Sequence, residues 1–274
     1  MIYKHREFRE DMSPREYNPI KESTYMLLGV TCFTLASLAI TSLFIDRLVV
    51  YLPYSWERKL IGTFEEVRHK PQNKLQKSQE QSLNALFEKL LTYSPSELTK
   101  LKVGLLDVEQ PNAIALPGGM ILVTTGLMSK VQSQNELAFV LGHELGHYQA
   151  RDHLRNLGRG IAISIILTTI GVGQGTGELT VGPTQLAARK FNRLQESDAD
   201  AFGLRLVAEM FGHVGGATDY FERLPNPSSA LNKTIASYLS THPLNEERVM
   251  RIKHLAIQQG WKSDGKPVSI SETF

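Results

Sequence analysis

The pattern of apolar and polar positions divides the chain into one long uncharged run followed by shorter amphipathic segments. Residues 25–45 contain no charged side chain over 21 positions, and about 20 apolar residues are enough for a helix to cross a bilayer core. A cleaved signal sequence has a shorter apolar run that ends in small residues, whereas Asp46 and Arg47 follow this one. The run therefore predicts a transmembrane helix, with a buried core helix as the alternative.

The later segments alternate between helical and strand periods. Residues 83–91 repeat apolar side chains at helical spacing, and residues 103–108 form a short strand-like run. Two apolar runs within residues 112–124 border a Pro-Gly-Gly turn, which predicts a hairpin or strand pair. Further helices are predicted over residues 136–150, 183–211 and 243–257. This order predicts a fold that is mainly α with a small β-sheet (α+β).

A second apolar run, residues 161–172, lies between glycines. About a dozen residues are too few to span a bilayer. The run is interpreted either as a core helix or flap over a site, or as a segment that dips into a membrane surface.

Charge and cysteine content exclude several kinds of function. Lys and Arg number 30 against 28 for Asp and Glu, a formal charge of +2. Because no basic cluster is interleaved with aromatic residues, a nucleic-acid surface is not predicted. Cys32 is the single cysteine, so no disulfide framework or cysteine-based metal site is expected.

The stretch with the clearest chemistry is HELGH at residues 143–147. Two imidazoles four residues apart lie on one face of a helix, where both can bind one metal ion. Glu144 follows the first histidine, so its carboxylate can sit beside the metal and take a proton from a water molecule. The spacing predicts that His143 and His147 are ligands of a zinc ion in a peptidase site.

A catalytic zinc ion usually has three protein ligands, and Glu196 is the candidate for the third. Asp200 lies one helical turn further on and could receive the free N–H of a ligand histidine, which would orient the ring. The alternative is that both acids lie on a solvated helix face near Arg193. The residues alone leave these two interpretations open.

A donor for the oxyanion of the reaction is also needed. His242, in a Ser-Thr-His-Pro stretch, and Arg248 are the candidates, and His242 could also occupy the open position of the zinc ion at rest. A helix cap or a surface residue is the alternative for His242. The strand pair at residues 112–124 is either scaffold or an edge strand that binds an extended peptide.

Four motifs occur in order: NAIALPGG at residues 112–119, HELGH, Glu196 to Asp200, and STHP with the following Arg248. Together they resemble the M48 family of membrane-associated zinc metallopeptidases, related to the CAAX protease, the bacterial heat-shock inner-membrane protease and the mitochondrial inner-membrane stress protease. The resemblance implies a zincin-like domain with one Zn²⁺ per chain and Glu196 as the third ligand. It also implies that Asn112 and Ala113 lie along the substrate cleft and that His242 and Arg248 act near the substrate.

The expected organisation follows from the apolar run and these motifs. It comprises a polar segment (1–24), the transmembrane helix (25–45), a juxtamembrane linker (46–80), the zinc metallopeptidase domain (81–260) and a loose C-terminal tail (261–274). Other branches of the family have several spans, so a single span indicates the single-anchor bacterial branch.

The expected function is a zinc endopeptidase of envelope quality control, acting on misfolded, membrane or envelope polypeptides. The single apolar run together with the resemblance implies a single-pass protein of the bacterial inner membrane. Five Lys or Arg precede the span and four follow it in an equal window, a bias that favours an inside N-terminus and so a periplasmic catalytic domain. The alternative is a membrane-tethered chaperone or assembly factor that uses the same metal fold without proteolysis.

Overall fold

The computed structural model describes residues 18–61, 73–169, 192–224, 242 and 246–270. Within these residues the helices are α1 (Pro19–Leu48), α2 (Tyr54–Ile61), α3 (Lys74–Leu91), α4 (Thr125–Met128), α5 (Gln134–Gln149), α6 (Asp152–Thr169), α7 (Arg193–Phe211), α8 (Asp219–Glu222) and α9 (Glu246–Gln258). The strands are β1 (Lys102–Leu106), β2 (Ala113–Leu116) and β3 (Met120–Thr124). The predicted class, mainly α with a small β-sheet, is confirmed.

The apolar run near the N-terminus forms α1, which begins earlier than predicted. Asn18 caps it by accepting a hydrogen bond from the Lys21 amide at 3.2 Å, and Pro19 occupies the first turn, where its missing N–H is not needed. None of the residues of α1 is buried. Residues Pro19–Tyr51 form a helix long and apolar enough to cross a membrane.

Helix α5 is the centre of the fold, since its residues from Asn135 to Tyr148 are all buried. It packs along α7 with almost no side chain between the two backbones. A Cβ atom on Gly142 would lie 2.8 Å from the Gly203 Cα, and one on Gly146 would lie 2.8 Å from the Ala199 Cα. This close approach brings the carboxylates of α7 against the histidines of α5.

The sheet lies beside α5 and has the strand order β1-β3-β2. Strand β3 pairs in parallel with β1 and antiparallel with β2, as the predicted hairpin requires. Strand β2 is therefore an edge strand, and it packs next to α5. The predicted apolar face of α3 packs over β1 and is buried at Leu83, Leu86, Phe87, Leu90 and Leu91.

Helix α6 leaves the end of α5 and runs antiparallel beside α1. Arg159 binds both carboxylate oxygens of Asp46, at 2.6 and 2.7 Å, and donates to the Ser42 hydroxyl at 3.0 Å. A Cβ on Gly158 would lie 2.9 Å from Ile45. The predicted run at 161–172 thus forms the second half of α6, with residues 170–172 outside the described part.

The C-terminal tail was expected to be loose, and that expectation is wrong for residues 261–270. The Gln134 amide, which has no partner within its own helix at the first position of α5, donates to the Val268 carbonyl at 2.8 Å. The Val268 amide in turn donates to the Asn135 side chain at 3.0 Å. Trp261 and Ile270 pack against the core.

Candidate metal centre

Four buried side chains from separate parts of the chain meet at one point. His143 and His147 come from α5, Glu196 comes from the first turn of α7, and His242 lies in the segment before α9. One ligand atom from each lies within 4.8 Å of all the others. The alternative of a solvated face for Glu196 is excluded, since its side chain is only 4% exposed.

Each α5 histidine has a carboxylate behind it. His143 Nδ1 lies 3.0 Å from Asp200 Oδ1, and His147 Nδ1 lies 2.9 Å from Asp152 Oδ2. An ionised carboxylate only accepts hydrogen bonds, so both Nδ1 atoms carry a proton. In the neutral rings, the two Nε2 atoms then present their lone pairs towards the centre.

The central atoms are spaced as ligands of one metal ion would be. The two Nε2 atoms of His143 and His147 are 3.1 Å apart, and Glu196 oxygens lie 3.6 Å and 3.4 Å from them. His242 Nδ1 lies 3.1 Å from His143 Nε2. Tetrahedral ligands at the usual zinc bond lengths are about 3.3 Å apart. Acceptors that face one another at these distances fit a divalent cation between them.

Burial and neighbouring charges set the ionisation of these groups. Burial lowers the pKa of His143 to about 3. Burial also opposes protonation of His147, but hydrogen bonds with Asp152 and Glu196 raise its pKa to about 9. Burial would raise the pKa of Glu196, yet hydrogen bonds with His147 and His242 hold it well below the usual range. A metal ion at His147 Nε2 would therefore take the place of a proton.

Glu144 lies beside the four ligands with one oxygen fixed and one unbonded. Its Oε2 accepts a hydrogen bond from the Ala115 amide of β2 at 3.0 Å. Its Oε1 is buried and makes no hydrogen bond to any described residue; His242 Nε2 is 3.3 Å away. Burial raises the pKa of Glu144 above the usual carboxyl range. Such an oxygen is placed to accept a proton.

Arg248, from α9, lies behind the ligands. Its guanidinium binds both oxygens of Asp200, at 2.9 and 2.7 Å, and forms an ion pair with Glu196 Oε2 at 2.5 Å. Burial would raise the pKa of Asp200, but the Arg248 charge and the His143 hydrogen bond lower it. Arg248 therefore helps to keep Asp200 ionised and holds both carboxylates in place.

Comparison with known sequences agrees with this geometry. Residues 77–256 match the profile of peptidase family M48. The chain belongs to this family. The resemblance predicted from four short motifs is confirmed, and the match covers α5, α7 and nearly all of α9.

Curated relatives share the same region at low identity. The chain is 25% identical over 173 residues to the mitochondrial metalloendopeptidase OMA1 of Schizosaccharomyces pombe, covering 62% of this chain and 51% of that protein. It is 26% identical over 190 residues to the beta-barrel assembly-enhancing protease of Yersinia pestis, covering 65% and 39%. It is 30% identical over 148 residues to the metalloprotease YcaL of Escherichia coli, covering 52% and 57%. The chain thus spans between about two fifths and three fifths of these proteins.

The structure brings most of the predicted site residues together, but Asn112 lies just before β2 and Ala113 at its first position, two residues before the contact with Glu144. The Asn112 amide donates to the Thr124 hydroxyl at 2.8 Å, and the Ala113 amide donates to the Asn112 side chain at 2.9 Å. The backbone group that reaches Glu144 belongs to Ala115. The amides of Ala113 and Ala115 both donate to groups outside β3, and among the described residues β2 pairs with β3 alone, so these two amides lie on the edge of β2 that faces away from β3.

Sequence reasoning missed Asp152, which follows His147 by five residues. Asp152 binds His147 and also accepts hydrogen bonds from Gln195 at 2.6 Å and Arg155 at 2.9 Å. An acid just beyond the motif helix was the available signal. It was not decisive, because the turn at Arg151 that carries Asp152 back to the ring has no marker such as glycine.

Proposed function

We propose that this protein is a membrane-anchored zinc endopeptidase. The observation that carries the proposal is the pair of α5 histidines with their Nδ1 atoms on carboxylates and their Nε2 atoms facing Glu196, with Glu144 alongside. Two histidines and a glutamate form a ligand set of catalytic zinc sites in peptidases. The names of the M48 relatives, metalloendopeptidase and protease, support the same reaction.

A bound zinc ion supplies a Lewis acid that polarises the scissile carbonyl and acidifies water. Side chains of this protein then transfer the proton. Glu144 accepts it at Oε1 from the attacking water and returns it to the leaving amide nitrogen. The Ala115 amide holds the other oxygen of Glu144 in place during both transfers. Arg248 acts as a positioning residue through Asp200 and Glu196.

His242 occupies the place that a substrate carbonyl would need. Its Nδ1 lies 3.0 Å from Glu196 Oε1 and its Nε2 lies 3.3 Å from Glu144 Oε1, so it stands between the third ligand and the base. As a fourth ligand of a bound zinc ion, His242 would leave no open position for a substrate. We infer that His242 moves away when a polypeptide binds, and that it then donates to the oxyanion.

The free edge of β2 is the surface proposed to bind the polypeptide. An extended chain paired with this edge would use the outward groups of Ala113 and Ala115, one of which already touches Glu144. Asn112 would release the Ala113 amide on binding. This arrangement would place a scissile bond beside Glu144.

The exposed apolar surface of α1 supports anchoring in a membrane. Leu27, Phe33 and Leu43 are each more than 60% exposed, which water would oppose and lipid would favour. We propose a single-pass arrangement in a bacterial inner membrane, with residues 81–260 as the catalytic domain in the periplasm. The relative named for beta-barrel assembly supports substrates among misfolded, membrane or envelope proteins.

The test is the Glu144→Gln variant of the full chain in detergent or nanodiscs. We expect one zinc per chain, as in wild type, and a fall in kcat of about a thousandfold on an unfolded polypeptide, because the proton acceptor is lost. The Glu88→Gln variant, which changes an exposed acid on α3, is the matched control and should cleave normally. Retained cleavage by Glu144→Gln would contradict the mechanism. Normal cellular function with this variant would favour the tethered chaperone instead.

A further inference from the structure

Glu57 is buried inside the protein although it belongs to the juxtamembrane helix α2. Its side chain is 0% exposed. Its Oε1 accepts hydrogen bonds from the Gly118 amide at 2.8 Å and the Tyr148 hydroxyl at 2.7 Å, and lies 3.0 Å from His153 Nε2. Its Oε2 binds Arg151 Nη1 at 2.5 Å. One carboxylate therefore joins four residues distant in sequence.

The partners of Glu57 belong to the elements that form the metal centre. Gly118 lies in the turn between β2 and β3, and β2 is the strand whose Ala115 amide holds Glu144. Tyr148 directly follows the ligand His147 on α5. A displacement of Glu57 would therefore move both β2, whose Ala115 amide holds Glu144, and α5, which carries two of the metal ligands.

The turn between α5 and α6 depends on the same juxtamembrane segment. Arg151 has a φ of 62°, in the left-handed region that side chains with a Cβ rarely adopt. Its guanidinium binds Glu57, donates to the Leu52 carbonyl at 2.7 Å, and lies 3.3 Å from the centre of the Tyr54 ring. This turn sets the position of Asp152, which orients His147.

The donors around Glu57 show that it does not hold a ligand itself. N–H and O–H groups converge on both of its oxygens, and the positive charge of Arg151 balances its negative charge. Breaking a buried ion pair of this kind is costly, because it leaves an uncompensated charge in the interior. Glu57 can therefore influence the reaction only through the groups that it holds.

We propose that Glu57 is a positioning residue of the active site, holding the β2–β3 turn, the end of α5 and the α5–α6 turn in one arrangement. The juxtamembrane helix is then a working part of the catalytic cleft and not a passive linker between anchor and domain. This inference rests on the proposed peptidase function for its kinetic consequence, although its geometric consequence can be measured independently.

The test compares Glu57→Gln and Glu57→Asp in the full chain with wild type, measuring kcat, KM and metal content. Glu57→Gln keeps the shape but removes the charge, and we expect kcat to fall by about ten- to a hundredfold at full metal occupancy, because the reacting groups are misplaced. Glu57→Asp keeps the negative charge that pairs with Arg151, but its shorter side chain lies further from the Gly118 amide. We expect a smaller fall in kcat for this variant. Glu97→Gln, an exposed acid near Tyr54, is the control and should behave as wild type.

A second readout separates positioning from mere stability. In protein loaded with cobalt, the visible absorption depends on ligand geometry, and we expect Glu57→Gln to change this spectrum at full occupancy. Unchanged kcat, KM and cobalt spectrum in both Glu57 variants, even with a lower Tm, would overturn the inference. If wild type cleaves no polypeptide, the proposed function fails, while the cobalt spectra still decide the role of Glu57.

Discussion

Two clusters of buried charged groups meet near the end of α5, and they are built in opposite ways. Around Glu196, the ligand atoms of His143 and His147 in their neutral forms are acceptors that face one another, and a proton or a metal ion must lie between them. Around Glu57, donors from Gly118 and Arg151 converge on one acceptor. Both clusters are almost fully shielded from water, so burial and charge do not distinguish them.

The difference lies in how donors and acceptors balance. A cluster in which acceptors face each other is incomplete without a cation, because like partial charges repel in a medium of low dielectric constant. A cluster in which donors surround an anion is already satisfied and fixes the fold. The first arrangement marks a site that binds a ligand, and the second marks the frame that holds it.

The largest effect that tests this comparison is expected for Glu196→Ala. Removing an acceptor from the centre should abolish stable zinc binding, since two of three catalytic ligands do not complete the site. Zinc per chain, measured by atomic absorption after dialysis, should fall from about one to near zero, and activity should go with it. Asp198→Ala, two residues away and exposed, should keep its metal. Equal metal content in the two variants would remove Glu196 from the ligand set.

Asp152 lies between the two clusters, and we expect Asp152→Asn to have a smaller effect on zinc binding than Glu196→Ala. The asparagine side chain can still meet His147 but no longer carries the charge that orients the ring, so zinc affinity should fall by about ten- to a hundredfold. Competition with a chromophoric chelator measures this change, and Asp198→Asn provides the control. An unaltered zinc affinity would mean that Asp152 stabilises the surrounding fold and does not orient His147 for metal binding.

How far the sequence predicts these features depends on whether a pattern is local. The HELGH spacing, the helical face of α3 and the strand pair around Pro117 are each patterns within one segment, so the sequence predicts them and the structure has them. Glu196 could be proposed from its separation by one turn from Asp200, but the residues alone left it open. The choice between a ligand and a solvated acid depends on the packing of α7 against α5 at Gly142 and Gly203.

Glu57 could not be found from the sequence, because its meaning comes from distant partners. It lies in a charged stretch after the apolar run, where an acid is ordinarily solvated. Its partners follow it by about 60 to 100 residues. Ser133 and Glu136 have the spacing of a capping box, and they show the same limit on a small scale. Ser133 accepts from the Glu136 amide, but the Glu136 carboxylate binds Arg223 and the Gln132 amide.

The smallest predicted effect concerns the pH dependence of stability in the Glu57 cluster. Burial would raise the pKa of Glu57, but hydrogen bonds from His153 and Tyr148 outweigh it and lower the pKa below its usual 4.5. A carboxyl whose pKa is lower in the folded state stabilises the fold above its unfolded pKa, and this contribution is lost as the pH falls through the folded value. The Tm of wild type should therefore exceed that of Glu57→Gln by several degrees at pH 7.

That difference in Tm should stay constant down to about pH 5 and narrow below the usual carboxyl range. Comparing wild type with Glu57→Gln at each pH cancels the titration of the other acids, and Glu97→Gln should follow wild type throughout. A difference in Tm that did not change with pH would mean that Glu57 stabilises the fold through the shape of its side chain and not through its charge. The cluster around Glu57 would then be stabilised by packing around Tyr148 and Tyr54, which stack with ring centres 5.8 Å apart.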